Sequence, residues 1–128
     1  MLRELAVVGV GGAIGSIARY LVVTTSARVL SSNYTHYGTL AVNCIGSFLV
    51  TLFMVLYIEK FDLSESVRLF IVVGFLGGFT TFSAFSYETV AMLHAKQFQE
   101  AFTYMALSLI VSLSFAFAGF FAAKTFIR

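Results

Sequence analysis

Gly77-Gly78-Phe79-Thr80-Thr81-Phe82-Ser83-Ala84-Phe85-Ser86 interrupts a long apolar run with two glycines and a weave of hydroxyls and phenylalanines. Glycine costs about 1 kcal/mol relative to alanine in a helix interior, so the pair is the weak point of the segment. In a bilayer, a loosened backbone must still find partners in protein, water or an ion. Hydroxyls interleaved with aromatic rings suit a small, hard ion better than a large apolar substrate.

The surrounding composition sets the solvent. The chain has 128 residues, 59% hydrophobic and 11% charged, against about 25% charged in an ordinary soluble domain. Four windows reach the ~20 apolar residues a membrane helix needs: about Leu5 to Thr24, Gly38 to Ile58, Val67 to Leu93 and Ala101 to Ala123. The first is longer than a signal-peptide core, contains Arg19 and is followed by further apolar runs, so it reads as a retained span. The expected fold is an all-α integral membrane protein, one four-helix domain over residues 1–128. The third window is too long for one straight helix. It predicts two half-helices meeting at Gly77 to Ser83, an arrangement that marks ion sites in other membrane proteins.

Charge is sparse. A formal net charge of +2, scattered along the chain, gives no nucleic-acid face. With both termini on one side, Arg3, Lys60, Arg68, Lys124 and Arg128 face Arg28, Lys96 and Arg19 across the membrane. That bias is a weak positive-inside signal, compatible with insertion in both orientations and antiparallel pairing. Cys44, the only cysteine, reads as a packed thiol. No enzyme constellation or metal spacing is present: His36 and His94 lie far apart near loops, and no nucleotide or protease motif occurs.

Several residues have both a structural and a functional reading. Asn43, Ser47 and Thr51 share one helix stripe, suited to interhelical hydrogen bonds or to a pore wall. Tyr104, Ser108 and Ser112 form a hydroxyl ladder about 12 Å long at 1.5 Å per residue, which is either helix glue or an ion track. Phe82 and Phe85 lie three apart on one face, and their ring edges are weakly positive. Arg19 is near enough to its span's end to anchor at the interface, or it is a vestibule charge for anions. Glu88 is the acid furthest inside a span, open to pairing, to a wet mouth or to proton carriage. Gly11 and Gly15 make small-xxx-small steps for close helix packing.

From end to end the chain resembles the Fluc (CrcB-type) fluoride channels. The resemblance is carried by the runs from Gly11 to Tyr20, Gly38 to Asn43, and Gly74 to Ser86. It implies an antiparallel, dual-topology homodimer in the cell membrane that lets fluoride out passively. It implies that Asn43 is a polar pore residue, that Phe82 and Phe85 form an aromatic box, and that Tyr104, Ser108 and Ser112 form the polar track. Thr81 and Ser83 match the hydroxyl positions at the break. The carbonyls of Gly77 and Thr80 are implied to hold a structural sodium ion at the dimer centre. Relatives often carry Thr at Ala84 and Leu at Phe79, and their track can end in Thr where this chain has Ala116. Two other readings fit four spans of this length: a small dual-topology drug/proton antiporter, with Glu88 as its carboxylate, and a non-transporting scaffold.

Overall fold

A computed structural model describes all residues, 1–128. Four helical segments are long and apolar enough to cross a membrane: Leu2–Leu30, Ser32–Glu59, Glu65–His94 and Phe98–Ile127. Helix α1 is Leu2–Leu30 and α2 is Thr35–Glu59, joined through a 3-10 turn at Ser32–Tyr34. Helix α3 covers residues 65–79. It runs from Glu65–Arg68 through a π-helical stretch, Leu69–Leu76, to a last turn, Gly77–Phe79. Helix α4 is Phe82–His94 and α5 is Phe98–Ile127.

The helices run past the apolar windows at most ends. The connection expected over Thr25 to Tyr37 shrinks to a few residues around Ser31, and Arg28 and His36 are helical. Hydropathy marks the hydrocarbon layer, whereas helical hydrogen bonds extend the rod into the interface. Ser31 and Lys96 turn the chain in the left-handed region (φ 96° and 61°), uncommon for residues other than glycine.

The glycines of the third span do something other than loosen it. Gly77 is helical, with φ −63° and ψ −37°, and backbone departs from helix only at Thr80 (φ −85°, ψ 158°) and Thr81 (φ −154°, ψ 122°). Gly78 instead lets α3 touch α1: a Cβ there would lie 2.5 Å from the Gly12 carbonyl oxygen. A Cβ on Gly11 would lie 2.5 Å from the Phe70 carbonyl oxygen, and one on Gly15 would collide with that of Phe75. The small-residue stripe of α1 therefore seats backbone against backbone on α3, the role expected of Gly11 and Gly15.

Helices α2 and α5 form the other close pair. A Cβ on Gly119 would strike the Phe48 carbonyl oxygen. At one membrane face Lys124 Nζ meets Glu59 at 2.5–2.6 Å, and Lys60 Nζ donates to the terminal-turn carbonyl of Phe126 at 2.5 Å. Only 18 of 128 residues are buried, and many large apolar side chains face outward, as a bilayer-embedded chain permits.

Gly15→Val is expected to destabilise the α1–α3 seat by about 1–3 kcal/mol, the usual range for overpacking. Gly9→Ala, with open space around it, leaves thermal unfolding in detergent unchanged. Equal melting temperatures for the two variants would contradict the backbone-to-backbone seat.

Candidate functional site

The centre of the site is the non-helical dipeptide Thr80–Thr81. Leaving helical geometry strands main-chain donors and acceptors. Thr80 N–H still donates to Leu76 O at 3.0 Å, but no hydrogen bond from residues 80–82 reaches the Gly77 carbonyl. Asn43 on α2 takes over at Thr81. Its Nδ2 donates to Thr81 O at 2.9 Å, while Thr81 N–H donates to Asn43 Oδ1 at 2.8 Å. The carboxamide thus mimics a strand neighbour, pairing both main-chain groups of one residue. Arg19 on α1 reaches the residue before it, donating from Nη1 to Thr80 O at 3.3 Å.

Thr81 then starts the next helix. Its Oγ1 accepts from Ala84 N–H at 3.2 Å, an N-cap bond, and lies 3.2 Å from Ser83 Oγ. An N-cap hydroxyl of this kind contributes about 1 kcal/mol. Gly46 lets α2 approach this point, because any Cβ there would overlap the Thr80 methyl group.

Beside this junction lies an open groove of 690 Å³ between α2, α3, α4 and α5. Asn43, Gly77, Thr80, Thr81, Phe82, Phe85, Ser108 and Ser112 all line it, so residues up to 69 positions apart in sequence meet on one surface. Phe82 and Phe85 are 5.5 Å apart with rings tilted by 47°, and Phe82 is 78% exposed. Ser108 Oγ is buried and has no hydrogen-bond partner. A buried hydroxyl without a partner is unusual and asks for an explanation, such as a water or an ion. Ser112 Oγ lies 3.7 Å from Cys44 Sγ, and the cysteine is buried as expected of a packed thiol. Ser47 and Thr51 return their hydroxyls to the carbonyls of Asn43 and Ser47, at 2.6 and 2.9 Å.

Three candidates sit elsewhere. Ser83 is exposed and outside the groove wall. Arg19 is half-buried and serves the Thr80 carbonyl rather than standing free. Tyr104 does not line the groove. It packs on Phe85, with ring centroids 5.2 Å apart, and its hydroxyl donates to Glu88 Oε2 at 2.6 Å. Thr39 Oγ1 donates to Glu88 Oε1 at 2.7 Å. Glu88 thus has two hydroxyl partners, and no basic group forms an ion pair with it. Sequence reasoning missed Thr39, because a 49-residue separation carries no periodic signal.

Fold and groove define a small four-span helical membrane protein with a hydroxyl- and aromatic-lined cleft against a non-helical junction. The chain belongs to the CrcB family: the model described as "CrcB-like protein, Camphor Resistance (CrcB)" matches residues 6–120. A protein of Agrobacterium fabrum is 45% identical over 116 residues, 91% of this chain and 92% of its own. Relatives from Sulfurihydrogenibium sp. and Caulobacter vibrioides are each 40% identical. The first covers 96% of this chain and 98% of its own, the second 96% and 97%. All three are named "Fluoride-specific ion channel FluC". Four apolar spans and this family make the chain a multi-pass protein of the cell membrane. The relatives' names and the hydroxyl-bound Glu88 carboxylate leave the antiporter reading without support.

Asn43→Leu removes both partners of Thr81. Each stranded main-chain group costs about 1–3 kcal/mol, so the Thr81 and Ala84 amides should exchange hydrogen much faster in detergent while those of α5 stay protected. Unchanged exchange at Thr81 would mean that Asn43 does not hold the junction.

Proposed function

We propose that the chain is a fluoride-selective channel carrying the ion passively across the cell membrane. The observation that carries this reading is the groove whose wall holds the partnerless Ser108 hydroxyl together with the Phe82–Phe85 ring pair. It is joined by the fluoride-channel names of relatives that match nearly the whole chain.

The physical problem is dehydration. Bare transfer of an ion into an apolar medium costs tens of kcal/mol in the Born picture. Neutral donors along the groove replace lost water, each hydrogen bond to a charged group contributing roughly 1.5–3 kcal/mol. Ser108 and Ser112 are the hydroxyl rungs, and Ser108 needs no bond broken to serve. Asn43 keeps one amide N–H beyond the one given to Thr81, and that second hydrogen is its contribution to the pathway. Phe82 and Phe85 add attraction at their edges without a trapping charge. Conduction requires sites strong enough to admit the ion and weak enough to release it, and no side-chain cation lines the groove.

Tyr104 acts at the end of this track through its contact with Phe85, its own hydroxyl being given to Glu88. Thr81 and Ser83 hold the start of α4, so their part is to position Phe82 and Phe85. Arg19 serves as an anchor for the Thr80 carbonyl on this reading.

The finer architecture is part of the proposal. The non-helical Thr80–Thr81 step is the mid-membrane break of the third span. A second, antiparallel copy covers the open groove and the exposed Phe82, giving a dual-topology homodimer. A structural sodium ion would use the hard oxygens of the Gly77 and Thr80 carbonyls: the Gly77 carbonyl has no hydrogen bond from residues 80–82, while the Thr80 carbonyl already accepts from the Arg19 guanidinium at 3.3 Å and has one lone pair left. When bound, such an ion supplies a fixed positive centre. One chain offers only these two oxygens, so a complete shell calls for the second copy.

Purified protein in liposomes should release fluoride far faster than chloride. Phe82→Ile and Phe85→Ile should cut fluoride efflux by at least about tenfold with the protein still folded, a loss of roughly 1.4 kcal/mol or more in the barrier. Equal chloride and fluoride efflux, or none of either, would defeat the reading.

A further inference from the structure

Ser112 is held differently from other hydroxyls of these helices. Ser47, Thr51, Thr89 and Ser114 each return their hydroxyl to the carbonyl four residues back, at 2.6–2.9 Å. Such back-bonding is open to any serine or threonine inside a helix, and it spends the proton on the protein. Ser112 lies two residues before Ser114 yet makes no such bond. Its one partner is the thiol of Cys44 on α2, with Oγ and Sγ 3.7 Å apart. A thiol is a weak donor and a weak acceptor, so this contact is a weak hydrogen bond. Cys44 is 5% exposed and does not line the groove. It reaches the groove only through Ser112.

A second observation marks the same wall as a binding surface. Ser108, one turn before Ser112, has a buried Oγ with no partner at all, and both serines line the groove. A buried hydroxyl left unpaired is costly. Two successive turns of α5 thus carry hydroxyls whose protons are not committed to a protein oxygen. Ser108 has no neighbour to take it, and the neighbour of Ser112 is sulfur.

We propose that Cys44 is a positioning residue for the fluoride pathway: its thiol donates to Ser112 Oγ, holds that hydroxyl off its own helix and leaves its proton for the ion. The inference rests on the channel reading for its ligand. Cys44 Sγ has no hydrogen-bond partner other than Ser112. A hydroxyl that accepts on its oxygen becomes a better donor, because successive hydrogen bonds polarise one another. The relay runs from the S–H to the Ser112 oxygen, and from the Ser112 O–H to the anion. A stronger acceptor at position 44 reverses it. A serine there would send its own hydrogen to the Leu40 carbonyl, as Ser47 and Thr51 do with theirs on the same helix, and its oxygen would capture the Ser112 proton. An alanine would release Ser112 to bond the Ser108 carbonyl, as Ser114 bonds that of Ile110. Both changes withdraw one donor from the pathway.

Two measurements test this. Cys44 is the only cysteine, so its S–H stretch is a single infrared band. In micelles, Ser112→Ala should move that band to the higher frequency of a free thiol. Sodium fluoride should saturably lower the wild-type frequency, because an engaged Ser112 oxygen strengthens the S–H···O bond. Sodium gluconate at equal ionic strength should not. An unmoved band in Ser112→Ala overturns the thiol contact. A band that ignores fluoride, or answers gluconate equally, overturns its part in binding. In liposomes, Cys44→Ser and Cys44→Ala should each slow fluoride efflux about threefold, the scale of one neutral hydrogen bond. Against a Ser112→Ala background neither should slow it further. Serine is closer to cysteine in size than alanine is, so a packing role predicts slowing by alanine alone. That result, or equal slowing with and without Ser112, overturns the relay. Absence of any wild-type fluoride efflux would instead count against the channel reading, and the infrared band would still decide the thiol contact.

Discussion

Two residues of non-helical backbone govern this molecule. In a bilayer, an unsatisfied main-chain group costs several kcal/mol, so the extended step at Thr80–Thr81 exists only because side chains from two other spans complete it. Asn43 pairs with both polar groups of Thr81, and Arg19 reaches the carbonyl of Thr80. These contacts fix where α4 begins, and with it the placement of Phe82 and Phe85. They also leave the Gly77 carbonyl without its helical partner. Groove wall and aromatic pair both depend on how one dipeptide is held.

Holding it requires close packing. Backbone contacts at Gly11, Gly15 and Gly78 bring α1 against α3, which carries Arg19 within reach of Thr80. Gly46 admits the Thr80 side chain against α2, beside Asn43. Small residues here are the means by which two long polar side chains arrive at the same point. The single chain leaves its groove open and Phe82 exposed, so the site is finished on one side only. An antiparallel second copy is the proposed cover.

The polar residues divide into two groups by what their atoms already touch. Asn43, Thr81, Tyr104, Ser47 and Thr51 spend hydrogen bonds on the protein itself. Ser108 does not. On the proposed channel reading, that distinction separates groups that shape the pathway from groups available to an ion, and it puts Tyr104 and Thr81 in the first role. Glu88, the acid furthest inside a span, is wrapped by hydroxyls of Thr39 and Tyr104, which explains how a carboxylate can sit there without a cation.

The sequence by itself determined the solvent, the number of spans and the family, because apolar length and the run from Gly74 to Ser86 are local signals. Periodicity placed Asn43, Phe82, Phe85, Ser108 and Ser112 on helix faces, and only the family resemblance implied a shared pathway for them; the fold brings all five to one groove. Sequence alone misjudged the glycine pair, since a helix-weakening residue and a close-packing residue look alike until a neighbour is present. Periodicity assigns a face but not a partner. The clasp of Asn43 on Thr81, the reach of Arg19 and the wrapping of Glu88 join residues 16 to 61 positions apart. Only tertiary structure could decide them, because a hydrogen bond depends on two groups meeting, and the order of residues along one helix does not say which atom the next helix will bring.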